Sequence, residues 1–200
     1  MSAVTTRAAV LRAFGTDQVV EEVRLREPGP DEALVRVTVA GVCHSDVGQA
    51  DGEWDHPLPV VLGHEGAGVV EAAGERVGVT PGTRVMLSMA PGCGRCRHCA
   101  AGRPILCQPA MHAMSDARLI TGASPIRGEG GAIGAYALLA CFADHAIVDG
   151  RSLIVLPDDV PDEVGALMGC AVITGVGAAI ETIDIPAGSR GAVIGVGGVG

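Results

Sequence analysis

Lysine is absent from this 200-residue chain: all 14 basic residues are arginine, set against 23 aspartates and glutamates. A formal net charge of −9 with no basic patch argues against a nucleic-acid partner, and the same count excludes a polybasic membrane anchor. Aromatic residues are scarce, at 2%, with a single tryptophan, Trp54, and a single tyrosine, Tyr136. The segment from Met1 to Leu11 carries Arg7 but no apolar stretch of the kind a secretory leader needs. Long hydrophobic runs are also lacking. The longest, Val164 to Ile180, covers 17 residues and is broken by Thr174 and several glycines. That is short of the roughly 20 residues of a membrane span. The expectation is a pair of buried helices in a soluble core, with no membrane partner.

What is present supports a packed domain. Hydrophobic residues make up 48% of the chain and charged ones only 18%, which excludes intrinsic disorder and allows one or two domains. The 30 glycines promise many turns and close backbone approaches. Seven cysteines, an odd number, argue against a disulfide framework and for reduced, cytoplasmic, metal-binding thiols.

The first 90 residues read as strands and turns. Ala33 to Ala40 carries valine at alternate positions, as a half-buried strand does. Arg7 to Phe14, Gln18 to Leu25, Gly66 to Ala73 and Thr83 to Ser88 read as further strands, punctuated at Glu27-Pro28-Gly29-Pro30, Gly74 and Pro81-Gly82. Residues 112 to 131 read as a long loop, and Tyr136 to Asp149 returns to strand character. Beyond Pro157 the pattern turns helical. Pro161-Asp162-Glu163 opens a helix that continues through Val164 to Met168, Ile173 to Ile183 forms a second, and Pro186 ends it. Gly191 to Ile194 reads as a short buried strand running into glycines.

Cys93, Cys96, Cys99 and Cys107 form the pattern C-x2-C-x2-C-x7-C within a polar lobe, residues 91–109, that has little apolar material of its own. Four thiolates so spaced can close on one tetrahedral zinc, which would hold the lobe's shape. An iron–sulfur cluster is the rival reading, although ferredoxin runs of this kind close with a shorter last gap followed by proline. Separately, Gly63-His64-Glu65-Gly66-Ala67-Gly68, with Gly74 and Val77, fits G-H-E-x2-G-x5-G-x2-V.

With Cys43-His44-Ser45-Asp46, the Gly63 to Val77 motif, the four-cysteine lobe, Gly169 to Gly175 and Gly195 to Gly200 all in order, the whole chain resembles a zinc-containing medium-chain alcohol dehydrogenase of the class III-like or bacterial branch. The resemblance implies an α/β fold overall. A β-rich GroES-like catalytic domain would span 1–186 with its connecting helices and the structural zinc lobe at 91–109. The start of a Rossmann dinucleotide-binding domain, truncated, would occupy 187–200. It implies two zincs per chain: a catalytic one on Cys43, His64 and Cys170, and a structural one on Cys93, Cys96, Cys99 and Cys107. Asp46 would orient His64, Ser45 would take the alcohol proton, and Glu65 would stand near the metal. The cofactor would be NAD, with NADP not excluded, held by His44, Thr174, Gly195, Gly197, Gly198, Val199 and Gly200. Met89 would line the substrate pocket. Cys141 matches no ligand position and reads as a core residue.

The chain departs from the family pattern at four places. His44 stands where the family often has an arginine that meets the cofactor pyrophosphate. Ser45 stands for the common threonine and keeps the hydroxyl. Gly48 replaces a histidine that ends the usual proton relay, which leaves the relay's exit open. Met111 stands where the formaldehyde-dehydrogenase branch has an arginine, which counts against glutathione adducts. The resemblance therefore implies a cytoplasmic oxidoreductase that passes hydride between a small alcohol and nicotinamide, giving an aldehyde or ketone, and that is a homo-oligomer at full length. Residues 1–200 alone are expected to be inactive. The alternatives are a formaldehyde or thiol-adduct dehydrogenase of the same fold, and a non-catalytic zinc-binding module.

Overall fold

The computed structural model describes residues 3–183 and 185–200. The strands form two sheets. In chain order, β1 (Val4–Leu11), β2 (Val19–Leu25) and β3 (Glu32–Gly41) lead to the short helix α1 (His44–Asp51). Then come β4 (Val60–Val61), β5 (Glu65–Ala73), β6 (Arg84–Leu87), a single turn α2 (Arg97–Ala100) and α3 (Gln108–Ser115). The strands β7 (Ile126–Gly128), β8 (Gly131–Ala135), β9 (His145–Asp149) and β10 (Leu153–Val155) follow. Last comes one helical run, α4, spanning Asp162–Thr182.

A closed barrel joins β1-β2-β7-β8-β4, and a five-stranded sheet runs β10-β6-β5-β3-β9. All pairings are antiparallel except β4 with β8. The alternation read in β3 has a specific use. Leu34 faces the barrel core with Val10, Val23 and Ile133, while Ala33 and Val35 face the second core with Val70, Val85 and Leu87. Beyond Val35 the strand becomes half-exposed, and it delivers the chain to Cys43 at the head of α1.

Several expectations are corrected. Residues 112 to 131 are not one loop. Helix α3 starts at Gln108 and buries only the small Ala110 and Ala113, a weak periodic signal. Strands β7 and β8 arise from pairing across the barrel with β2 and β4, which the local sequence does not announce. Of Tyr136 to Asp149 only His145–Asp149 is strand; Tyr136–Leu138 is a tight helical turn. Helix α1 was not anticipated.

The two expected helices are one continuous run of 21 residues, and it is mostly exposed, with 11% of its most apolar 18-residue window buried. By length and composition alone this run is long and apolar enough to cross a membrane, so the sequence count understated it. The glycines do not break it. Two of them close it onto the sheet: a Cβ at Gly165 would lie 2.6 Å from the Leu156 side chain, and one at Gly169 would lie 2.5 Å from the Leu87 carbonyl oxygen. Gly191 to Ile194 forms no strand; Val193 is 70% and Ile194 101% exposed. A strand needs a ladder partner, and none lies beside it among the described residues.

Candidate active site

Four chain segments converge where β3 ends. Cys43 is the residue before α1. His64 sits in the three-residue link between β4 and the β5 strand that begins at Glu65. That link turns through Gly63 at φ +90°, where a Cβ would strike the Phe142 backbone, so only glycine fits. Cys170 arrives from α4, inside a π-helical turn at Met168–Val172. Such turns insert one residue into a helix and are frequent at functional sites. Here the Ala171 N–H donates to the buried Glu65 Oε1 at 3.2 Å, which ties the turn carrying Cys170 to β5.

Asp46, in the first turn of α1, organises the other side. It is 2% exposed. Its Oδ2 accepts from the Cys43 N–H at 3.1 Å, and its Oδ1 accepts from the Gly63 N–H at 3.1 Å and from His64 Nδ1 at 3.0 Å. One carboxylate thus holds the backbones on both sides of the cluster and fixes the His64 tautomer, leaving Nε2 free to bind a metal.

One ligand atom from each of Cys43, His64, Glu65 and Cys170 lies within 4.8 Å of the others. The Cys43 and Cys170 sulfurs are 3.9 Å apart. Tetrahedral zinc with Zn–S bonds of about 2.3 Å sets two sulfurs about 3.8 Å apart, so the donor set fits that ion. The electrostatics agree. Burial, then the nearby Cys43 sulfur and Glu65, push the Cys170 thiol up to about 12. Burial also raises Cys43, but hydrogen bonds from Ser45 and the approach of His64 outweigh it, and the net shift is downward. Burial lowers His64, while Asp46 and Cys43 more than reverse that. Two thiolates cannot both be charged at this spacing without a cation, and a divalent ion supplies one. The Cys43 thiol donates to the Ser45 hydroxyl oxygen at 3.7 Å, so that hydroxyl borders the same space.

Tyr136 is the site residue that sequence reasoning missed. Its ring lies edge-on to His64 at 5.8 Å and to His56 at 5.4 Å. Burial, then the charges of Asp46, Cys43 and Cys170, push its phenol up to about 12. The residues that follow, Ala137, Leu138 and Ala140, are buried with φ of +50°, +68° and +57°. Left-handed backbone at non-glycine residues stores strain and clusters at functional sites. Its one sequence signal was being the sole tyrosine.

The lobe forms a second cluster. Its four cysteine sulfurs also lie within 4.8 Å of one another. Backbone donors reach them: the Cys93 N–H reaches the Cys107 sulfur at 3.3 Å and the Cys96 N–H the Cys93 sulfur at 3.4 Å. The Cys99 N–H is the largest influence on Cys96, drawing its thiol down to about 6, whereas burial and the crowding sulfurs push Cys99 up to about 11.

The other predicted residues lie further out. His44 is exposed on α1, and Met89 is half-buried against the core that holds Leu87 and Cys141. Thr174 is exposed on α4, and so is the whole of Gly195 to Gly200. That glycine run nevertheless folds back on α4: a Cβ at Gly175 would meet the Val199 carbonyl oxygen at 2.6 Å. Cys141 is 1% exposed, and burial pushes its thiol far above the usual range, as suits a core residue.

Comparison with known proteins gives consistent matches. Residues 29–158 match the alcohol dehydrogenase GroES-like domain. The geraniol dehydrogenase of Castellaniella defragrans is 39% identical over 98% of this chain and 53% of its own length. The alcohol dehydrogenase zinc-binding domain protein of Burkholderia ambifaria superposes with a TM-score of 0.85 at 34% identity, over 94% of this chain and 51% of that one. The benzyl alcohol dehydrogenase of Acinetobacter calcoaceticus superposes at 0.79 and 32% identity, over 88% and 48%. The chain spans about half the length of the relatives it matches.

Proposed function

The chain belongs to the zinc-containing medium-chain alcohol dehydrogenase family, and on that premise we propose that it is the catalytic part of an enzyme that oxidises small alcohols to aldehydes or ketones with a nicotinamide cofactor. What carries the reading is the convergence of Cys43, His64 and Cys170 beside the Ser45 hydroxyl, with Asp46 behind His64. A zinc held by the two thiolates and the imidazole supplies a Lewis acid that makes an alcohol hydroxyl more acidic, and a bound nicotinamide supplies the hydride acceptor. The rest falls to this chain. Ser45 takes the hydroxyl proton. Asp46 keeps the His64 ring in register. Glu65 holds the π turn and with it Cys170. Tyr136 closes one side of the pocket, and Met89 lines it from the second core.

Under the same reading, Cys93, Cys96, Cys99 and Cys107 hold a second, structural zinc, two per chain in all. Their closed set leaves no open position. His44, Thr174, Gly195, Gly197, Gly198, Val199 and Gly200 meet the dinucleotide, NAD or NADP, and their exposure leaves them open to it. Domain limits at 1–186 and 187–200 follow. The exposed apolar side of α4 faces the remainder of the enzyme, because the run is already docked to β5 and β6 along its other side. The whole enzyme is cytoplasmic, in keeping with seven free thiols, and a homo-oligomer without nucleic-acid or membrane partners.

The test is turnover of geraniol, benzyl alcohol and short aliphatic alcohols by the full-length protein with NAD or NADP, with and without low-molecular-weight thiols. Turnover that is lost on chelation and in Cys43→Ser supports the reading. Strict dependence on an added thiol would make it an adduct dehydrogenase instead. Function that survives Cys43→Ser and Cys170→Ser would leave only a zinc-stabilised binding module.

A further inference from the structure

A serine hydroxyl can pass a proton on but cannot store one, so Ser45 needs an acceptor beyond it. We propose that the acceptor is the carboxylate of Glu53. Ser45 and Gly48 lie three residues apart on α1, hence on neighbouring positions of one face, where Cβ atoms stand about 5–6 Å apart. Gly48 has no side chain, and Glu53 fills the gap. A Cβ built on Gly48 would lie 2.5 Å from Glu53 Oε2 and 2.9 Å from its Cδ. The carboxylate therefore occupies the place of a residue-48 side chain, on the face of α1 that also carries Ser45.

The local fold sets this up. Helix α1 ends at Gly52 in the left-handed region, φ +83°, and the Glu53 N–H then donates to the Gly48 carbonyl at 2.9 Å. That bond returns Glu53 over the last turn of the helix. The ring of Trp54 packs on the same glycine, 3.1 Å from the built Cβ, and flanks the carboxylate with an apolar wall. Among the described residues no cation pairs with Glu53, so it is free to take a proton. The residue is also exposed, so it can hand that proton to bulk water.

The step moves one proton and no electrons: from the alcohol hydroxyl to Ser45, from Ser45 through water to Glu53, and from Glu53 to solvent. This inference rests on the dehydrogenase reading above. It differs from a structural role for Glu53 in what it predicts for pH.

The experiment uses the full-length protein with its metal and nicotinamide. Alcohol oxidation is followed against pH for wild type, Glu53→Gln, Glu53→Ala and the double variant Gly48→His with Glu53→Ala. Glu53→Gln should lower kcat about 10- to 100-fold near neutral pH, within or just below the usual range for a proton-transfer group. Its rate should then climb more steeply with pH than wild type and approach it in base, where hydroxide takes the proton. Added imidazole buffer should rescue Glu53→Ala, and the double variant should regain most of the lost rate. Zinc content and Tm should stay level across the set. An unchanged pH profile in Glu53→Gln, with wild type active, overturns the inference and leaves the dehydrogenase reading intact. A rate loss that neither imidazole nor the histidine variant restores overturns it too. A wild-type protein that oxidises no alcohol overturns the underlying reading.

Discussion

Replacing Asp46 separates the cluster at the head of α1 from the rest of the fold. The side chain is buried and accepts three hydrogen bonds, from Cys43 N–H, Gly63 N–H and His64 Nδ1. In Asp46→Ala two backbone donors lose their partner. At about 1–3 kcal/mol for each orphaned buried donor, stability falls by about 2–6 kcal/mol. That is a large share of the roughly 5–15 kcal/mol of an ordinary domain. Asp46→Asn should be milder. Its carbonyl oxygen can stand at Oδ1 and serve Gly63 and His64, while its amide N–H then opposes the Cys43 N–H, a loss of about 1–3 kcal/mol. His64 also loses its orienting partner in the alanine variant, and zinc affinity at Cys43, His64 and Cys170 should drop about 10- to 100-fold. Urea denaturation gives the first quantity and zinc competition with a chromophoric chelator the second. The lobe zinc, on separate elements, should keep its affinity. Equal effects of alanine and asparagine, or parallel loss at both zinc sites, would refute the claim that Asp46 acts through these three bonds.

Other expected outcomes follow from the same geometry. Glu65→Gln keeps an oxygen for the Ala171 N–H and should hold zinc near the wild-type level, whereas Glu65→Ala frees the π turn and should weaken it about tenfold or more in the same competition assay. Cys96→Ser should abolish the lobe zinc, lower Tm and open residues 91–109 to proteolysis, with the other zinc retained. Glu32 offers a pH test. Burial raises it, but Arg26, the Thr121 hydroxyl and the Gly29 N–H prevail and hold it below the usual carboxylate value. With its folded pKa depressed, it contributes fully above the unfolded value of about 4.3, and that contribution is lost as pH falls through the folded one. Tm measured from pH 6 down to 3 should therefore fall less steeply in Glu32→Gln than in wild type.

What was legible in the sequence divides by how local its cause is. The strand character of Ala33 to Ala40 came from alternating valines, and the structure uses that alternation to face two cores at once. The four lobe cysteines stood out by their spacing, whereas Cys43, His64 and Cys170, far apart in the chain, were singled out only through the family resemblance; the fold brings the donor atoms of each set together. Strands β7 and β8, by contrast, are three and five residues long and owe their form to partners across the barrel. Tyr136 reaches His64 only through a strained turn that no periodicity encodes. Glu53 takes its position from a helix end and a missing side chain at Gly48, a relation between two residues that motif matching reads one at a time. Gly165 and Gly169 of α4 looked like interruptions and are contact points, because there the helix approaches Leu156 and Leu87 more closely than any side chain would allow.

The central claim is that two separate donor sets, Cys43-His64-Cys170 and Cys93-Cys96-Cys99-Cys107, each hold a zinc. Metal content per chain of the purified protein, measured by atomic emission beside its Cys96→Ser and Cys170→Ser variants, tests it most directly. The account predicts two zincs in wild type and one in each variant. One zinc in wild type that disappears with Cys96→Ser, or an iron–sulfur absorption near 400 nm in place of zinc, would contradict it.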